Sequence, residues 1–202
     1  MVELAGNGLS ATDRIRLVAM RMFADVGFEG ASIRRIASAA GVSPALVMHH
    51  YGSKEGLRAA CDEYARSATQ ESLGRIVSFM SGAQPSPVAV FDDQARTLLA
   101  YVARAVVDGT QAGDRLMDDV VSDVLAVQDQ SVADGVMTDT DDRRMRAVLL
   151  TLYDLAPVIL ARHVERLTGA DLHSPEGFAR VAEAAMSLYD APLFLTRSED
   201  SP

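Results

Sequence analysis

The sequence predicts an all-α fold of about nine helices arranged as two units. Apolar residues recur at helical spacing through most of the chain, and no segment alternates apolar and polar residues as a half-buried strand does. A hydrophobic fraction of 49% in 202 residues is enough to bury one or two cores. We place a three-helix unit at residues 1–56 and a larger helical bundle at residues 57–202.

The first helix is predicted from Ser10 or Thr12 to about Asp25. Asp13 lies in the first turn, where a carboxylate favours the start of a helix. Gly27 is expected to end the helix. Five apolar residues at helical spacing form the predicted buried face: Ile15, Val18, Ala19, Met22 and Phe23.

Two short helices follow, separated by a single turn. Ser32 is a good N-cap for the first of them, and Gly41 stands where a chain leaving a helix often needs a positive φ. Ser43 and Pro44 are typical of an N-cap followed by a first-turn proline, so a third helix begins there. The buried face of the second helix consists of Ile33, Ile36, Ala37 and Ala40. This layout is a helix-turn-helix, whose second helix can lie in the major groove of DNA.

The third helix has two faces when its residues are placed at 100° per residue. We expect one face to pack against the rest of the unit: Val47, His50 and Tyr51. We expect the opposite face to contact DNA or to be simply solvated: Pro44, Ala45, Met48 and His49. Ala45 can touch a thymine methyl, and His49 can donate to a base acceptor or a phosphate. No metal site is expected at His49 and His50, because adjacent histidines point apart on a helix and no third ligand lies at a suitable spacing.

Phosphate contacts are predicted at the helix starts and on the second helix. Ser32 and Ser43 cap helices in any case, and helix N-termini favour anions. Lys54 lies in the first turn of the next helix and is expected to act in the same way. Arg34 and Arg35 can reach backbone phosphates or can be solvated helix residues, and both interpretations stay open.

The stretch from about Thr12 to Leu57 resembles the N-terminal domain of the TetR family of bacterial transcriptional repressors. Met48 departs from the family pattern, which usually has an aromatic residue there, and a thioether is at best a weak hydrogen-bond acceptor. The matching residues follow one another without a gap: Phe23, Gly27, Ser32, Ile33, Ile36, Ala37, Ala40, Gly41, Val42, Ser43, Val47, His50, Tyr51, Ser53, Lys54 and Leu57.

Further helices are predicted in the second unit. Periodicity places them at about 57–80, 88–107, 112–133 (one or two helices), 143–168 and 175–188. Loops are predicted by composition at 81–87 and 135–142. The helix at 143–168 is apolar around much of its circumference, so it is either buried by more than its own chain or lines a cavity.

The resemblance implies more about this second unit than periodicity does. The last two helices are expected to pair with their twofold mates in a homodimer, and the helices before them to enclose a pocket for a small, largely hydrophobic ligand. Candidate ligand-binding residues are polar groups within apolar runs, together with one methionine of a kind that more often fills a core than contacts a ligand: Tyr101, Arg104, Tyr153, Asp154, His163 and Met117. The polar ones can instead face solvent or satisfy a neighbouring helix.

Charge is unevenly distributed along the chain, whose net charge is −9. Residues 1–58 carry seven basic and five acidic side chains, and the remainder carries twelve basic and 23 acidic ones. The mildly basic unit is therefore the one suited to phosphate contacts. Cys61 is the single cysteine and is expected to be a core or boundary residue. No signal segment or long uncharged apolar run occurs, so we expect a cytoplasmic protein without a membrane span.

The resemblance implies a transcriptional regulator, most simply a repressor that binds a palindromic operator as a dimer and is released by a small-molecule ligand. The helix at 57–80 is expected to transmit the effect of the ligand. No enzyme activity and no cofactor are expected, because no nucleophile with a base, metal cluster or phosphate loop stands at motif spacing. The alternative is an all-helical ligand-binding or interaction protein that does not bind DNA.

Overall fold

The structure, a computed structural model, describes residues 9–80 and 93–190. Within these residues it contains nine α-helices and no strand, as predicted: α1 (Ala11–Gly30), α2 (Ile33–Ala39), α3 (Pro44–Tyr51), α4 (Lys54–Met80), α5 (Asp93–Val107), α6 (Gln111–Ala133), α7 (Arg143–Ile159), α8 (Ala161–Thr168) and α9 (Pro175–Asp190). The predicted loop at 81–87 and the start of the helix predicted from Val88 lie outside the described residues.

The first helix begins and breaks where the sequence predicts. The hydroxyl oxygen of Ser10 accepts the backbone N–H of Asp13 at 3.1 Å, which caps α1. Gly27 has φ 72° and interrupts the helical backbone of α1, a conformation that glycine adopts without a Cβ penalty. Phe28 then packs on Phe23, with ring centroids 5.4 Å apart.

The buried surface of α1 is wider than the predicted stripe. Met20 is fully buried in addition to the predicted residues, whereas Met22 is only partly buried. The reason is that α1 packs not only on α2, α3 and α4 but also, most extensively, on α5. One continuous apolar core therefore runs from the helix-turn-helix into the bundle. The predicted division at residues 56 and 57 stays a prediction.

The fourth helix continues through Gly74 without a break and connects the helix-turn-helix to the bundle. Its buried face near the helix-turn-helix consists of Leu57, Cys61, Ala65 and Ala68. The Cys61 thiol lies 3.8 Å from the carbonyl oxygen of Arg16, and burial raises its pKa far above the ordinary value. Cys61 is thus a core residue in its protonated form.

The prediction of a single helix at 143–168 is wrong, because α7 and α8 are separate helices. The chain leaves helical geometry at Leu160, where φ is −101° and ψ is 22°, and the two helix axes differ by 69°. Pro157 lies three residues before the break, and its ring removes a backbone donor and crowds the preceding turn. Pro157 is visible in the sequence, but a proline inside a helix can either bend the helix or be tolerated, so the sequence alone did not predict the break.

Among the described residues no single helix is both long and apolar enough to cross a membrane. The pair α7 and α8 meets that criterion only when the two are joined, by length and composition, across their bend.

Candidate DNA-binding surface

The outward face of α3 is the centre of the candidate surface. Val47 is fully buried beneath it and anchors the helix to the core. The four residues predicted to face outward are all exposed: Pro44, Ala45, Met48 and His49. Since α3 has only eight residues, all of them lie within about 12 Å along the helix axis. The face therefore matches a short stretch of major groove.

His50 is placed differently from the prediction. It was expected to pack beside Val47 and Tyr51, but its side chain is exposed. His50 lies in the last turn of α3, where the Tyr51 ring occupies the space beside the core. The His50 ring instead contacts the rings of His49 and Tyr51, with centroids 5.6 and 6.3 Å away. His50 thus extends the exposed surface at the end of α3.

The serine caps are formed as predicted. The Ser32 hydroxyl oxygen accepts the Arg35 backbone N–H at 3.3 Å, and the Ser43 hydroxyl oxygen accepts that of Leu46 at 3.1 Å. Both serines are exposed, so each hydroxyl proton can be donated to an anion while the cap stays intact. Whether these residues touch phosphate stays a prediction.

The basic side chains around α3 differ in the contacts they make within the protein. Arg34 is exposed on α2, whereas the Arg35 guanidinium donates to the Gly30 carbonyl oxygen at 3.2 Å. The Lys54 ammonium lies 4.2 Å from the centroid of the Phe28 ring, which holds it at the start of α4. Arg58 contacts the same ring at 4.9 Å. The ring of Phe28 therefore fixes two cations beside the helix-turn-helix.

Two of the ligand candidates lie at the junction between the helix-turn-helix and the bundle. The buried Tyr101 donates its hydroxyl to Asp62 Oδ1 at 2.5 Å, and Arg104 Nε donates to Asp108 Oδ1 at 2.7 Å. Tyr101 and Arg104 line a gap between α1, α4 and α5 of about 10 Å³, enough for roughly one water molecule. None of the other four candidates lines this gap.

Those four candidates occupy the bundle. Met117 packs between the two apolar clusters of the core, Tyr153 is half-buried, and His163 is exposed on α8 beyond the helix break. Asp154 retains solvent contact, yet desolvation by the surrounding protein raises the pKa of its carboxyl to about 6. Ligand binding by these residues stays a prediction.

The sequence reasoning missed the partner of Tyr101. Asp62 is a half-buried carboxylate on α4 between Cys61 and Ala65, both fully buried. A charged residue beside a buried helical face can indicate such a partner, but only the packing of α4 on α5 shows which side chain it meets.

Comparison with known proteins agrees with this architecture. Residues 15–61 match the family model described as "Bacterial regulatory proteins, tetR family", and residues 93–195 match "Tetracyclin repressor-like, C-terminal domain". The fold also resembles that of a transcriptional regulator from Rhodococcus sp. Rha1, with TM-score 0.57 and 20% identity, over 92% of this chain and 100% of the other.

Two named regulators are similar to this chain in sequence. The HTH-type transcriptional regulatory protein RaaS of Mycobacterium tuberculosis is 33% identical over 144 residues, which are 71% of this chain and 68% of RaaS. The HTH-type transcriptional repressor AcnR of Corynebacterium glutamicum is 39% identical over 71 residues, or 34% of this chain and 38% of AcnR. With its helix-turn-helix, its helical bundle and both domain models matched, the chain belongs to the TetR family of bacterial transcriptional regulators.

Proposed function

We propose that this chain is a homodimeric repressor, acting in the cytoplasm, that binds a palindromic operator and is released by a small, largely hydrophobic ligand. Regulators of this family bind DNA operators and typically act as homodimers. The observation that carries the proposal for this chain is an apolar surface, mainly on α7, that is exposed among the described residues.

The uncovered surface lies mainly on α7. Met145, Leu149 and Leu152 are exposed, and their spacing of four and three residues places them on one side of the helix. We call these three residues the α7 face. Further exposed apolar side chains follow in the same part of the chain: Ile159, Leu160, Leu167 and Leu188. Monomeric proteins rarely leave large apolar patches in water, so a second copy of the chain is the proposed cover.

Dimerisation through this surface supports operator recognition. A twofold axis presents two copies of α3, and half-sites read by such a pair lie about 34 to 36 Å apart. The mildly basic charge of the helix-turn-helix is then doubled on one side of the dimer. The twofold arrangement of the two α3 helices supports binding to a palindrome with one half-site for each subunit.

Ligand control is proposed to act through the contacts between α4, α5 and α1. The Tyr101–Asp62 hydrogen bond joins α5 to α4, and Arg21 on α1 forms an ion pair with Asp93 at the start of α5. A ligand that favours another arrangement of α4 and α5 would therefore also move the helix-turn-helix. The ligand can weaken DNA binding only by its differential affinity for the two arrangements, typically about 1 to 3 kcal/mol.

The test is selection of bound sequences from a pool of random duplexes at moderate salt. We expect a palindromic consensus with two half-sites, which then serves as the operator for ligand screening. Protein that has been unfolded and refolded after purification is used beside untreated protein, because this removes a ligand carried from the cell. Weak retention without a consensus by both preparations would contradict the proposal and favour a helical binding protein that does not bind DNA.

A further inference from the structure

The orientation of α3 depends on its two ends, because the helix is short and shallowly anchored. It has eight residues, and Val47 is the one among them that is fully buried. Leu46 and Tyr51 are only half-buried, and the remaining residues are exposed. A single buried side chain fixes the distance of a helix from the core better than it fixes the direction of the helix axis. The contacts at the ends of α3 therefore matter for how its outward face meets DNA.

The turn before α3 is held by Arg14. Its Nε donates to the carbonyl oxygen of Ala40 at 2.9 Å, across 26 residues of sequence. Ala40 is the C-cap of α2, at a helix end where carbonyl groups lack an intrahelical donor and a nearby cation is favourable. Gly41 follows with φ 66°, and Pro44 begins α3. The hydrogen bond of Arg14 thus anchors the chain four residues before the recognition helix begins.

The other end of α3 is held by Tyr51. Its hydroxyl donates to the carbonyl oxygen of Thr12 at 2.8 Å, across 39 residues of sequence. Burial raises the pKa of this hydroxyl above its ordinary value of 10, so it remains a donor throughout the physiological range. Tyr51 is the last residue of α3, immediately before Gly52 and the start of α4.

Both anchors belong to one turn of α1, since Thr12 and Arg14 are two residues apart. We propose that this turn is a clamp that sets the orientation of α3, and that Tyr51 and Arg14 are positioning residues for operator recognition that need not touch a base. This inference rests on the proposed operator binding. Base contacts in the groove require accurate placement of α3, whereas contacts with phosphates along any duplex tolerate a change of its tilt. Loss of the clamp should therefore reduce discrimination between operator and other DNA.

The first test is Tyr51→Phe, which removes one hydroxyl and keeps the ring and the net charge. Dissociation constants are measured for the selected operator and for a non-operator duplex of equal length, with folding checked by circular dichroism. We expect operator binding to weaken by about three- to tenfold, the effect of one net hydrogen bond, and non-operator binding to change by less than about twofold. Tyr64→Phe is the matched control, because its hydroxyl bonds to Gln94 on α5, at 2.6 Å, away from α3. We expect both affinities of this control to stay unchanged.

The second test is Arg14→Lys beside Arg14→Gln. Lysine keeps the positive charge but lacks the Nε of arginine, so a loss of operator preference in Arg14→Lys reports geometry and not charge. Arg14→Gln should lose the same preference and, in addition, bind all duplexes more weakly at low salt.

A third measurement does not depend on DNA. Amide hydrogen exchange of residues 45–51 is compared in the free wild-type protein, Tyr51→Phe and Tyr64→Phe. We expect faster exchange in this segment only in Tyr51→Phe.

The outcomes separate the two proposals. A wild-type protein that selects no operator contradicts the proposed function, whereas the exchange measurement still tests the clamp. If the wild-type protein selects an operator, and Tyr51→Phe and Arg14→Lys prefer that operator as strongly as the wild type does, the clamp proposal alone is overturned. Equal losses for operator and non-operator DNA would also overturn it, since that pattern reports a general loss of folded protein.

Discussion

The hydroxyl of Tyr101 on α5 donates to Asp62 on α4 at 2.5 Å, inside the junction between the helix-turn-helix and the bundle. Tyr101 is buried, and its ring also lies 6.4 Å from the ring of Phe23 on α1. One side chain on α5 therefore contacts both of the other helices that meet at this junction, α4 and α1. Burial raises the pKa of the Asp62 carboxyl, while the Tyr101 hydrogen bond opposes that rise by stabilising the carboxylate.

Tyr101→Phe should destabilise the protein, because it leaves the Asp62 carboxylate with less hydrogen bonding in a desolvated place. We expect a loss of about 1 to 2 kcal/mol in the free energy of unfolding. Urea denaturation measures it, and Tyr101→Phe combined with Asp62→Asn should recover part of the loss. An unchanged midpoint in Tyr101→Phe would contradict the importance of this hydrogen bond.

Gly27→Ala should destabilise the same junction. Gly27 has φ 72°, and an added Cβ would lie 2.7 Å from Arg104 Nη2 and 3.1 Å from Asp108 Oδ2. With ψ at 171°, this backbone lies in a region essentially restricted to glycine and costs alanine about 1 to 3 kcal/mol, and Arg104 must also move. Gly74→Ala is the matched control, since it lies inside α4 with no atom within 4 Å of the added Cβ. Gly74→Ala should raise the free energy of unfolding by about 0.5 to 1 kcal/mol. Equal changes in the two variants would contradict the prediction.

Leu149→Glu should dissociate the proposed dimer. Leu149 is 57% exposed on the α7 face, and a second subunit covering it would bury the new carboxylate without a partner. Light scattering after size-exclusion chromatography at micromolar concentration should report a monomer, and operator binding should weaken by more than tenfold. Val107→Glu is the control, since Val107 is similarly exposed, at 60%, but lies at the end of α5. A Leu149→Glu protein that remains dimeric would exclude the α7 face from the interface.

Arg34→Ala and His49→Ala should separate phosphate contact from base contact. Arg34 is exposed on α2, so its loss should weaken binding to all duplexes alike and reduce the slope of log K against log salt by about 1. His49→Ala should instead relax the preference at one operator position. Arg115→Ala, an exposed change on α6, is the control for a lost positive charge. Identical salt slopes for Arg34→Ala and the wild type would remove Arg34 from the DNA contacts.

Asp154→Asn should alter the dependence of stability on pH. The pKa of the folded-state carboxyl is about 6 against an ordinary value of 3.8, so the folded protein binds the proton more tightly than the unfolded chain. The wild type should therefore lose stability as pH rises from about 4 to 6, relative to Asp154→Asn. Because the side chain retains solvent contact, screening should limit the difference to about 1 kcal/mol. Parallel pH profiles of the two proteins would show that Asp154 is not desolvated.

The order of the first three helices, their caps and their turn followed from the sequence alone. Ser32, Ser43 and Pro44 act through their own backbone and the next few residues, so their roles depend on local chemistry that any fold would respect. The outward face of α3 followed in the same way, because helical spacing determines which residues share a side. His50, in the last turn of α3, depended on the packing of its neighbour Tyr51 and was predicted wrongly.

What the tertiary structure decided were the contacts between residues far apart in sequence. The break at Leu160, the pairing of Tyr101 with Asp62 and the anchoring of α3 by Thr12 and Arg14 all depend on how helices pack. Periodicity determines which side of a helix is apolar, but it contains no information about which helix covers that side or at what angle. Local interactions span a few residues and can be deduced from the printed sequence, whereas these contacts join residues up to 39 positions apart and exist only in the folded chain.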